Sequence, residues 1–310
     1  MKLFTAALCS YNRAERLPPL IAALRAQKCD MPFEILMVDN NSTDNTQQVL
    51  ASLAAQNGVP LRYVKESQQG IPFARNRALQ ECMESEFMLF MDDDEMPKPG
   101  LLQAAIHCMR NNDAECAGGK IKVCFGDGQR PDWLGDDLLG FLAEVDYGNH
   151  SFWVTDSSTP LWTANVAYKM SIFKNYPGLR FNIRYNRIGK QVGGGEDLII
   201  FQDMLALNIK MRYCPEMEVD HYVETWRLKR RYFLKLHFVS GKKTGLYESE
   251  NYTRTLFGIP FFMITQSIRH LARGLWMTSK QEPGALRQLM NWTHSLGMIY
   301  GRFLAWKNAS

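Results

Sequence analysis

The chain has 310 residues, of which 46% are hydrophobic and 22% are charged, a balance that suits one large α/β domain with an appendage or two modest domains. This composition excludes a disordered chain and a fibrous repeat. The seven cysteines are scattered and include no CxxC pair, which argues against a disulfide framework or a zinc knuckle and predicts a reducing, cytoplasmic environment.

The net charge of +4 is divided unevenly along the chain. Residues 1–204 carry a net charge of −5, whereas residues 205–310 carry +9 and many aromatic side chains. This asymmetry favours one site that needs carboxylates and one surface that faces an anionic partner. Solvated charge alone would also produce such a division.

Strand and helix signals alternate through the first hundred residues. Four short apolar runs predict strands, and segments with helical spacing of apolar residues separate them. Strands that are apolar throughout and joined by single helices are typical of a parallel sheet covered on both faces. The predicted strands are residues 3–8, 33–38, 61–64 and 87–91, and the predicted helices are residues 16–27, 46–56 and 72–84.

Polar clusters follow three of the predicted strands, at residues 9–13, 39–44 and 92–95. In sheets of this kind, ligands bind beyond the carboxyl ends of the strands. If the strands are neighbours, we expect the clusters to converge on one cleft rimmed by acidic and hydrogen-bonding side chains.

The third cluster consists of four adjacent carboxylates, Asp92–Glu95, directly after an apolar strand. Adjacent carboxylates repel one another unless a cation or solvent offsets their charge. Asp92 and Asp94 can present oxygens to a hard divalent ion that also takes substrate phosphate oxygens. The run therefore predicts a metal site, with an exposed acidic turn as the alternative.

The order of several blocks resembles that of the family 2 glycosyltransferases, which use nucleotide-sugars and have the GT-A fold. The blocks are YNRAERL, EILMVDNNSTDNT, QGIPFARNRAL, FMLFMDDDE, LWTANVAYK, GGGEDLIIF and VDHYVETWRLKRRYF. The resemblance spans residues 1–245. It implies an α/β GT-A domain there, with a Rossmann-like mixed sheet flanked by helices, followed by a helical C-terminal segment at residues 246–310.

The resemblance also implies which residues bind the donor. Asp39 would accept a hydrogen bond from the base, and Arg13 would contact ribose or phosphate. Capping is the alternative for Asp39, and Asp44 could cap the following helix as readily as contact the ligand. The implied donor-binding set is Ser10, Tyr11, Asn12, Arg13, Asp39, Asp44, Gly70, Arg75, Asn76 and Asp93.

Metal-binding and catalytic roles follow from the same resemblance. Asp92 and Asp94 match the D-x-D signature, and His221 matches the late histidine, so these three would hold Mg²⁺ or Mn²⁺ against the donor diphosphate. Asp197 matches the general base and Glu196 would position the acceptor, although acidic residues at a helix N-terminus are also favoured electrostatically.

Trp162 and Asn165 match a loop that faces the sugar or the acceptor. The same block has Thr163 where glycine is commoner and Lys169 where arginine is commoner. These departures leave the loop in place but make the donor preference uncertain.

The C-terminal segment contains two predicted amphipathic helices, at residues 266–276 and 286–306, with aromatic and basic side chains. Charged residues interrupt its apolar stretch, which argues against a transmembrane helix. Helices of this composition can lie in the interface of a bilayer. Packing on the sheet or on a second protomer is the alternative.

The expected activity is inverting, metal-dependent transfer of a sugar from a nucleotide-diphosphate donor to a hydroxyl of a glycan or lipid-linked acceptor. Surface-polysaccharide or glycolipid assembly is the expected setting, in the cytoplasm or at the inner face of the plasma membrane. The expected partners include an anionic membrane surface but no nucleic acid. A nucleotidyltransferase and a catalytically silent sugar-nucleotide-binding scaffold are the alternatives.

Overall fold

The computed structural model describes residues 3–111, 113–126, 129–186, 192–248, 250 and 252–309. By its internal contacts the chain divides into two compact units. The first unit comprises residues 1–189 and 196–223, and the second comprises residues 190–195 and 224–310.

The first unit alternates strands and helices around one mixed sheet. Its strands are β1 (Phe4–Ser10), β2 (Phe33–Asp39), β3 (Leu61–Lys65), β4 (Phe87–Asp92), β5 (Glu95–Pro97), β6 (Cys116–Cys124), β7 (Phe152–Val154), β8 (Asn165–Lys169) and β9 (Met211–Tyr222). Its helices are α1 (Leu17–Arg25), α2 (Thr46–Ala54), α3 (Ile71–Glu81), α4 (Leu101–Asn111), α5 (Ser171–Asn175) and α6 (Glu196–Ala206).

Across the described residues, the strand order is β3-β2-β1-β4-β8-β6-β9-β5, and β7 pairs with β9. The four strands predicted from the sequence, β1 to β4, are neighbours and run parallel. They are confirmed, as are α1, α2 and α3. The remaining half is mixed, because β8 runs antiparallel to β4 and β6 whereas β6 and β9 are parallel.

Apolar side chains cover both faces of the sheet, as the uninterrupted apolar strands predict. On one face, Leu8 and Ile35 belong to a core formed with α1, α2 and α4. On the other face, Ala7 and Leu36 belong to a core formed with α3, α5 and α6. The sheet is therefore held rigidly, and its strand ends form a fixed platform for the polar clusters.

A disulfide joins Cys108 of α4 to Cys214 of β9 within the first core. The sequence argued against a disulfide framework, and this single bond is one that it did not predict. The two residues are separated by 106 positions, and the fold brings their Cα atoms to 6.8 Å. No spacing pattern in the sequence marks such a long-range pair. The thiols of the other five cysteines are free.

The second unit is mainly helical. It contains α7 (Arg230–Lys243), a π-helical turn (Thr244–Glu248), a hairpin of β10 (Thr255–Leu256) and β11 (Ile259–Pro260), α8 (Phe261–Ser279) and α9 (Ala285–Ala309). The two predicted amphipathic helices lie within α8 and α9. None of the helices in the described ranges combines the length and apolar character needed to cross a bilayer.

Close packing of α7 and α9 explains why the first compact unit ends at residue 223 and not at the predicted domain boundary of 245. Gly241 approaches the His294 carbonyl, and Gly297 approaches the Phe238 carbonyl, so closely that a Cβ on either glycine would lie 2.0 Å from that oxygen. The segment after β9 therefore belongs, by its packing, with the C-terminal helices.

Candidate active site

The carboxyl ends of β1, β2 and β4 meet at one edge of the sheet. Ser10 pairs with Asp39 in the register of β1 and β2, and Cys9 pairs with Asp92 in the register of β1 and β4. The parallel arrangement thus brings the three polar clusters together, as the sequence predicts.

The loops after β1 and β2 are joined by Asn12. Its side-chain oxygen accepts a hydrogen bond from the Thr43 backbone N–H at 2.8 Å, and its own backbone N–H donates to Ser42 Oγ at 2.9 Å. Asn12 has a φ of 53°, a left-handed conformation that asparagine tolerates better than most residues. Its neighbours Tyr11 and Arg13 are half-buried.

Asp39 already serves the loop that follows it. Its carboxylate, 1% exposed, accepts from the Ser42 backbone N–H at 3.0 Å and from Gln47 Nε2 at 2.9 Å. Because a carboxylate has about four acceptor sites, these bonds leave capacity for a ligand. The capping geometry that was the alternative for Asp39 is therefore present.

Asp44 lies just before Asn45, the N-cap residue of α2, and accepts a hydrogen bond from the first N–H of the helix. One carboxylate oxygen accepts from the Thr46 backbone N–H at 3.0 Å and the other from the Ala14 backbone N–H at 3.4 Å. Partial burial opposes its charge, but the hydrogen bonds from Thr46 and Ala14 outweigh that effect and lower the pKa of Asp44. The helix-capping alternative is thus realised.

The acidic run is not a solvated turn, because Glu95 is 1% exposed and Asp94 is largely buried. Asp93 accepts a hydrogen bond from Ser10 Oγ at 2.6 Å. Burial, reinforced by the charge of Asp94, raises the pKa of Asp93 to about 7. Burial also raises the pKa of Glu95 well above its ordinary value. Burial and the neighbouring carboxylates thus disfavour the charged forms of both acids.

His221 lies beside this run, because it pairs with Glu95 in the register of β5 and β9. Its Nδ1 is 3.6 Å from Asp94 Oδ1 and 3.8 Å from Glu95 Oε1. Among the described residues, no group of three or more His, Cys, Asp or Glu side chains forms a metal cage. A Mg²⁺-type ion needs no such cage, since it is usually held by one or two carboxylates together with substrate phosphates. The carboxylates of Asp92 and Asp94 fit that requirement.

Arg75 of α3 connects the acidic run to the start of α6. Its guanidinium, on a residue only 4% exposed, bonds to Asp92 Oδ1 at 3.1 Å, to Glu196 Oε1 at 3.2 Å and to Asp197 Oδ1. Burial disfavours its charge, but the three carboxylates more than compensate and raise the pKa of Arg75. One buried cation therefore joins the predicted metal-binding and catalytic residues.

The start of α6 presents two acids in different environments. Glu196 is 2% exposed, whereas the side chain of Asp197 is 23% exposed. Both lie in the first turn of the helix, where the dipole favours negative charge. Arg75 is bonded to Asp197 Oδ1, so Oδ2 is the oxygen of this carboxylate that the arginine does not hold.

Two further residues of the predicted donor set have backbone partners. Asn76 donates to the Phe181 carbonyl and accepts from the Phe181 N–H, both at 2.9 Å. Gly70 has a φ of 140°, and a Cβ there would overlap the Asn186 amide. These contacts fix the segments beside Arg75, and donor contact by Asn76 or Gly70 stays a prediction.

The structure gives Asn165 a role that sequence reasoning did not anticipate. The side chain is 1% exposed and donates to the Lys120 and Met217 carbonyls, each at 2.9 Å. These bonds bridge β6 and β9 beside the bulge in β6. Its amide N–H groups are therefore used within the protein, and contact of Asn165 with the sugar or the acceptor stays a prediction. Trp162 is half-buried against the first core.

Phe181 is a site residue that the sequence analysis missed. The Arg75 guanidinium lies 5.5 Å from the centre of its ring, which favours the cation electrostatically. No motif marks Phe181, since it reaches the site from a loop between α5 and α6. Only its apolar character in a polar stretch could have drawn attention to it.

Comparison of the sequence with known families gives a match to the model of Glycosyl transferase family 2 over residues 5–189. The succinoglycan biosynthesis protein ExoM of Rhizobium meliloti (strain 1021) is 24% identical over 240 residues, which are 77% of this chain and 72% of that protein. The uncharacterized glycosyltransferase YfnE of Bacillus subtilis (strain 168) is 32% identical over 104 residues. That match spans 34% of this chain but only about a quarter (26%) of YfnE.

Solved structures share the fold at low sequence identity. The mannosyltransferase PcManGT from Pyrobaculum calidifontis, in complex with GDP-Man and Mn²⁺, is 16% identical with a TM-score of 0.56, and the match covers 93% of this chain and 73% of that one. S. aureus TarS 1–349 in complex with UDP is 16% identical with a TM-score of 0.55 and coverage of 100% and 92%. These similarities confirm the predicted mixed-sheet GT-A fold with C-terminal helices.

Proposed function

Because the chain belongs to glycosyl transferase family 2, we propose that it transfers a sugar from a nucleotide-diphosphate donor to a hydroxyl of a glycan or lipid-linked acceptor, with inversion at the anomeric carbon. The structural neighbours were solved with UDP or with GDP-Man and Mn²⁺, which supports a nucleotide-sugar donor here.

One observation carries the proposal: the Arg75 guanidinium contacts Asp92 at the end of β4 and both Glu196 and Asp197 at the start of α6. A transferase must hold the leaving diphosphate and the base that takes the acceptor's proton beside the same sugar carbon. The contacts of Arg75 place the residues proposed for those two tasks side by side.

The donor is proposed to lie along the ends of β1 and β2. Asp39 supplies a buried acceptor for a base N–H, and Arg13 supplies positive charge for ribose or phosphate. Ser10 and Asn12 hold the surrounding loops through their bonds to Asp93 and Thr43. The remaining members of the proposed donor set are Tyr11, Asp44, Gly70, Arg75, Asn76 and Asp93.

Asp92, Asp94 and His221 are the proposed holders of Mg²⁺ or Mn²⁺. Four carboxyl groups crowd this strand end, and Asp93 and Glu95 have raised pKa values; a bound cation would favour their charged forms. When bound, the ion supplies Lewis-acid stabilisation of the departing diphosphate.

Asp197 is the proposed general base. As the acceptor oxygen forms its bond to the anomeric carbon, the bond from that carbon to the diphosphate oxygen breaks, and the acceptor proton passes to Asp197 Oδ2. Arg75 holds the opposite oxygen and so fixes the carboxylate in place. Glu196, buried beside it, is proposed to position the acceptor.

The product separates this proposal from its alternatives. Incubation with a panel of nucleotide-sugars, Mn²⁺ and candidate acceptors should release free nucleoside diphosphate with a glycosylated product of inverted configuration. Pyrophosphate release would indicate a nucleotidyltransferase. Binding of a nucleotide-sugar, seen as a raised melting temperature, without turnover across the acceptor panel would indicate a silent scaffold.

The proposed setting is assembly of a surface polysaccharide or glycolipid in the cytoplasm, with peripheral contact to the inner face of the plasma membrane. Similarity to ExoM, which is named for succinoglycan biosynthesis, supports a polysaccharide. The basic second unit supports contact with an anionic surface, because residues 252–309 contain seven Lys or Arg and a single acidic residue.

A further inference from the structure

Helix α8 exposes an apolar stripe next to its packed face. The packed face consists of Met263, Ser267 and Gly274, all buried. Apolar residues at spacings of three, four and seven line the outer side. Their exposed fractions are unusually high for large apolar side chains: Phe261 60%, Ile264 37%, Ile268 62% and Leu275 57%.

The hairpin before α8 extends this exposed apolar surface. Leu256 and Phe257 at its turn are 50% and 54% exposed. The Phe257 ring packs at 5.2 Å on Trp306 of α9, itself 40% exposed. A second ring contact, between Tyr252 and Phe262 at 5.5 Å, supports the start of the helix. We name the stripe and the hairpin turn together the α8 surface.

Arg269 and Arg273, one turn apart and both exposed, share a second side of α8 with Phe262 and Trp276, which are 50% and 54% exposed. Helix α8 contains no acidic residue. Long basic side chains can extend their charged ends to headgroups while their aliphatic parts lie on apolar surface. The apolar residues and the arginines therefore form one surface with two complementary parts.

We infer that the α8 surface docks on an anionic lipid bilayer, with α8 lying in the plane of the interface. The apolar stripe enters the boundary between headgroups and acyl chains, and the arginines bind lipid phosphates. A second copy of the chain fits less well, because two such basic surfaces would repel each other. This inference identifies the surface for the peripheral setting proposed above, and it does not depend on the transfer reaction.

Co-sedimentation of the full chain with vesicles tests the inference. The unmodified chain should bind vesicles of phosphatidylcholine and phosphatidylglycerol far better than vesicles of phosphatidylcholine alone. Ile268→Glu should weaken this binding at least about tenfold, because it places a charge in the centre of the stripe. Leu275 lies in the same stripe, two turns after Ile268, so Leu275→Glu should weaken vesicle binding to the same extent.

Gln48→Glu is the control, because it adds the same charge at an exposed position of α2, outside the α8 surface. It should leave vesicle binding within about twofold of that of the unmodified chain. Arg269→Gln/Arg273→Gln should lower binding to the anionic vesicles only. The melting temperature and its rise with a nucleotide-sugar and Mn²⁺ should be unchanged in every variant, since all five positions are exposed.

Equal vesicle binding by Ile268→Glu and the unmodified chain would overturn the inference, as would absence of binding to anionic vesicles. A dimer in sedimentation velocity that Ile268→Glu dissociates would overturn it in favour of a second copy. Failure of the transfer reaction with vesicle binding intact would instead count against the proposed function alone.

Discussion

At the scale of single residues, Arg75 has the largest electrostatic role in the site. It is buried, and its guanidinium contacts three carboxylates that would otherwise face one another. The effect of such a cluster on stability depends on all of its members being present, because removal of one partner leaves uncompensated buried charge. Arg75 is therefore as important for the shape of the site as for any contact with a ligand.

Replacement of Arg75 by methionine should lower the free energy of unfolding by about 3 kcal/mol or more, because Asp92, Glu196 and Asp197 lose their shared cation. Arg75→Lys should recover only part of this loss, since an ammonium cannot reproduce the fork of the guanidinium. Urea unfolding followed by circular dichroism measures the free energy of unfolding of both variants.

Arg77→Met provides the comparison two residues along the same helix. Arg77 pairs with Glu81 at 2.8 Å but is 35% exposed, so its loss should cost no more than about 1 kcal/mol. Similar losses for Arg75→Met and Arg77→Met would show that the buried cluster does not contribute as described.

Sequence reasoning identified the chemistry of several site residues but not their partners. The acidic run and the Glu196-Asp197 pair stand out because acids directly follow apolar or glycine-rich segments. The role of Asn165 could not be recognised in this way, since it depends on carbonyls 45 and 52 positions away in the sequence. Hydrogen bonds between distant segments depend on the fold, and no local pattern encodes them.

At the scale of elements, glycines determine how closely α7 and α9 approach. Glycines lie four residues apart at Gly241 of α7 and Gly245 of the π-helical turn, and at Gly297 and Gly301 of α9. The G-x-x-x-G spacing was a readable signal for such an approach, and the sequence analysis did not use it.

Gly297→Ala should lower the free energy of unfolding by about 2 kcal/mol. Alanine favours a helix by about 1 kcal/mol over glycine, but its Cβ would lie 2.0 Å from the Phe238 carbonyl oxygen. The helices would have to separate, at an overpacking cost of about 1–3 kcal/mol plus lost contacts. Thermal melts should show no such loss for Gly178→Ala, which has open space around it. A more stable Gly297→Ala protein would contradict the close approach.

The same helix pair should make the second unit sensitive to acid. Burial lowers the pKa of His237 in α7 and of His294 in α9 below their ordinary value of 6.5. The unfolded chain therefore binds these protons at a higher pH than the folded chain does. The two neutral histidines therefore make their full contribution to the free energy of unfolding above about pH 6.5. This contribution is lost as the pH falls below that value.

Melting temperatures measured across this pH range should decline less steeply for His237→Gln/His294→Gln than for the unmodified chain. His150→Gln should follow the unmodified chain, because His150 is exposed. If the double variant and the unmodified chain declined in parallel, the acid sensitivity would arise elsewhere.

At the scale of the whole molecule, the parallel half of the sheet was predictable and the mixed half was not. Strands β1 to β4 are continuous apolar runs, so their burial on both faces is visible in the sequence. Strand β6 (Cys116–Cys124) contains two glycines and two lysines, and β5 and β7 have only three residues each. Pairing with neighbours, more than their own composition, makes these segments strands.

The boundary between the units was also set by packing. Residues 224–245 contain motifs continuous with those before them, so the sequence assigned them to the first domain. In the structure, α7 packs on α9 within the second unit. The disulfide between Cys108 and Cys214 is another consequence of tertiary structure that spacing alone could not indicate.

The most direct measurement is the turnover number of Asp197→Asn beside that of Asp203→Asn, an exposed acid on the same helix. If Asp197 takes the acceptor proton, its amide variant should lose at least about a hundredfold in kcat while nucleotide-sugar affinity is retained, and Asp203→Asn should keep full activity. An Asp197→Asn protein as active as Asp203→Asn would contradict the proposed mechanism.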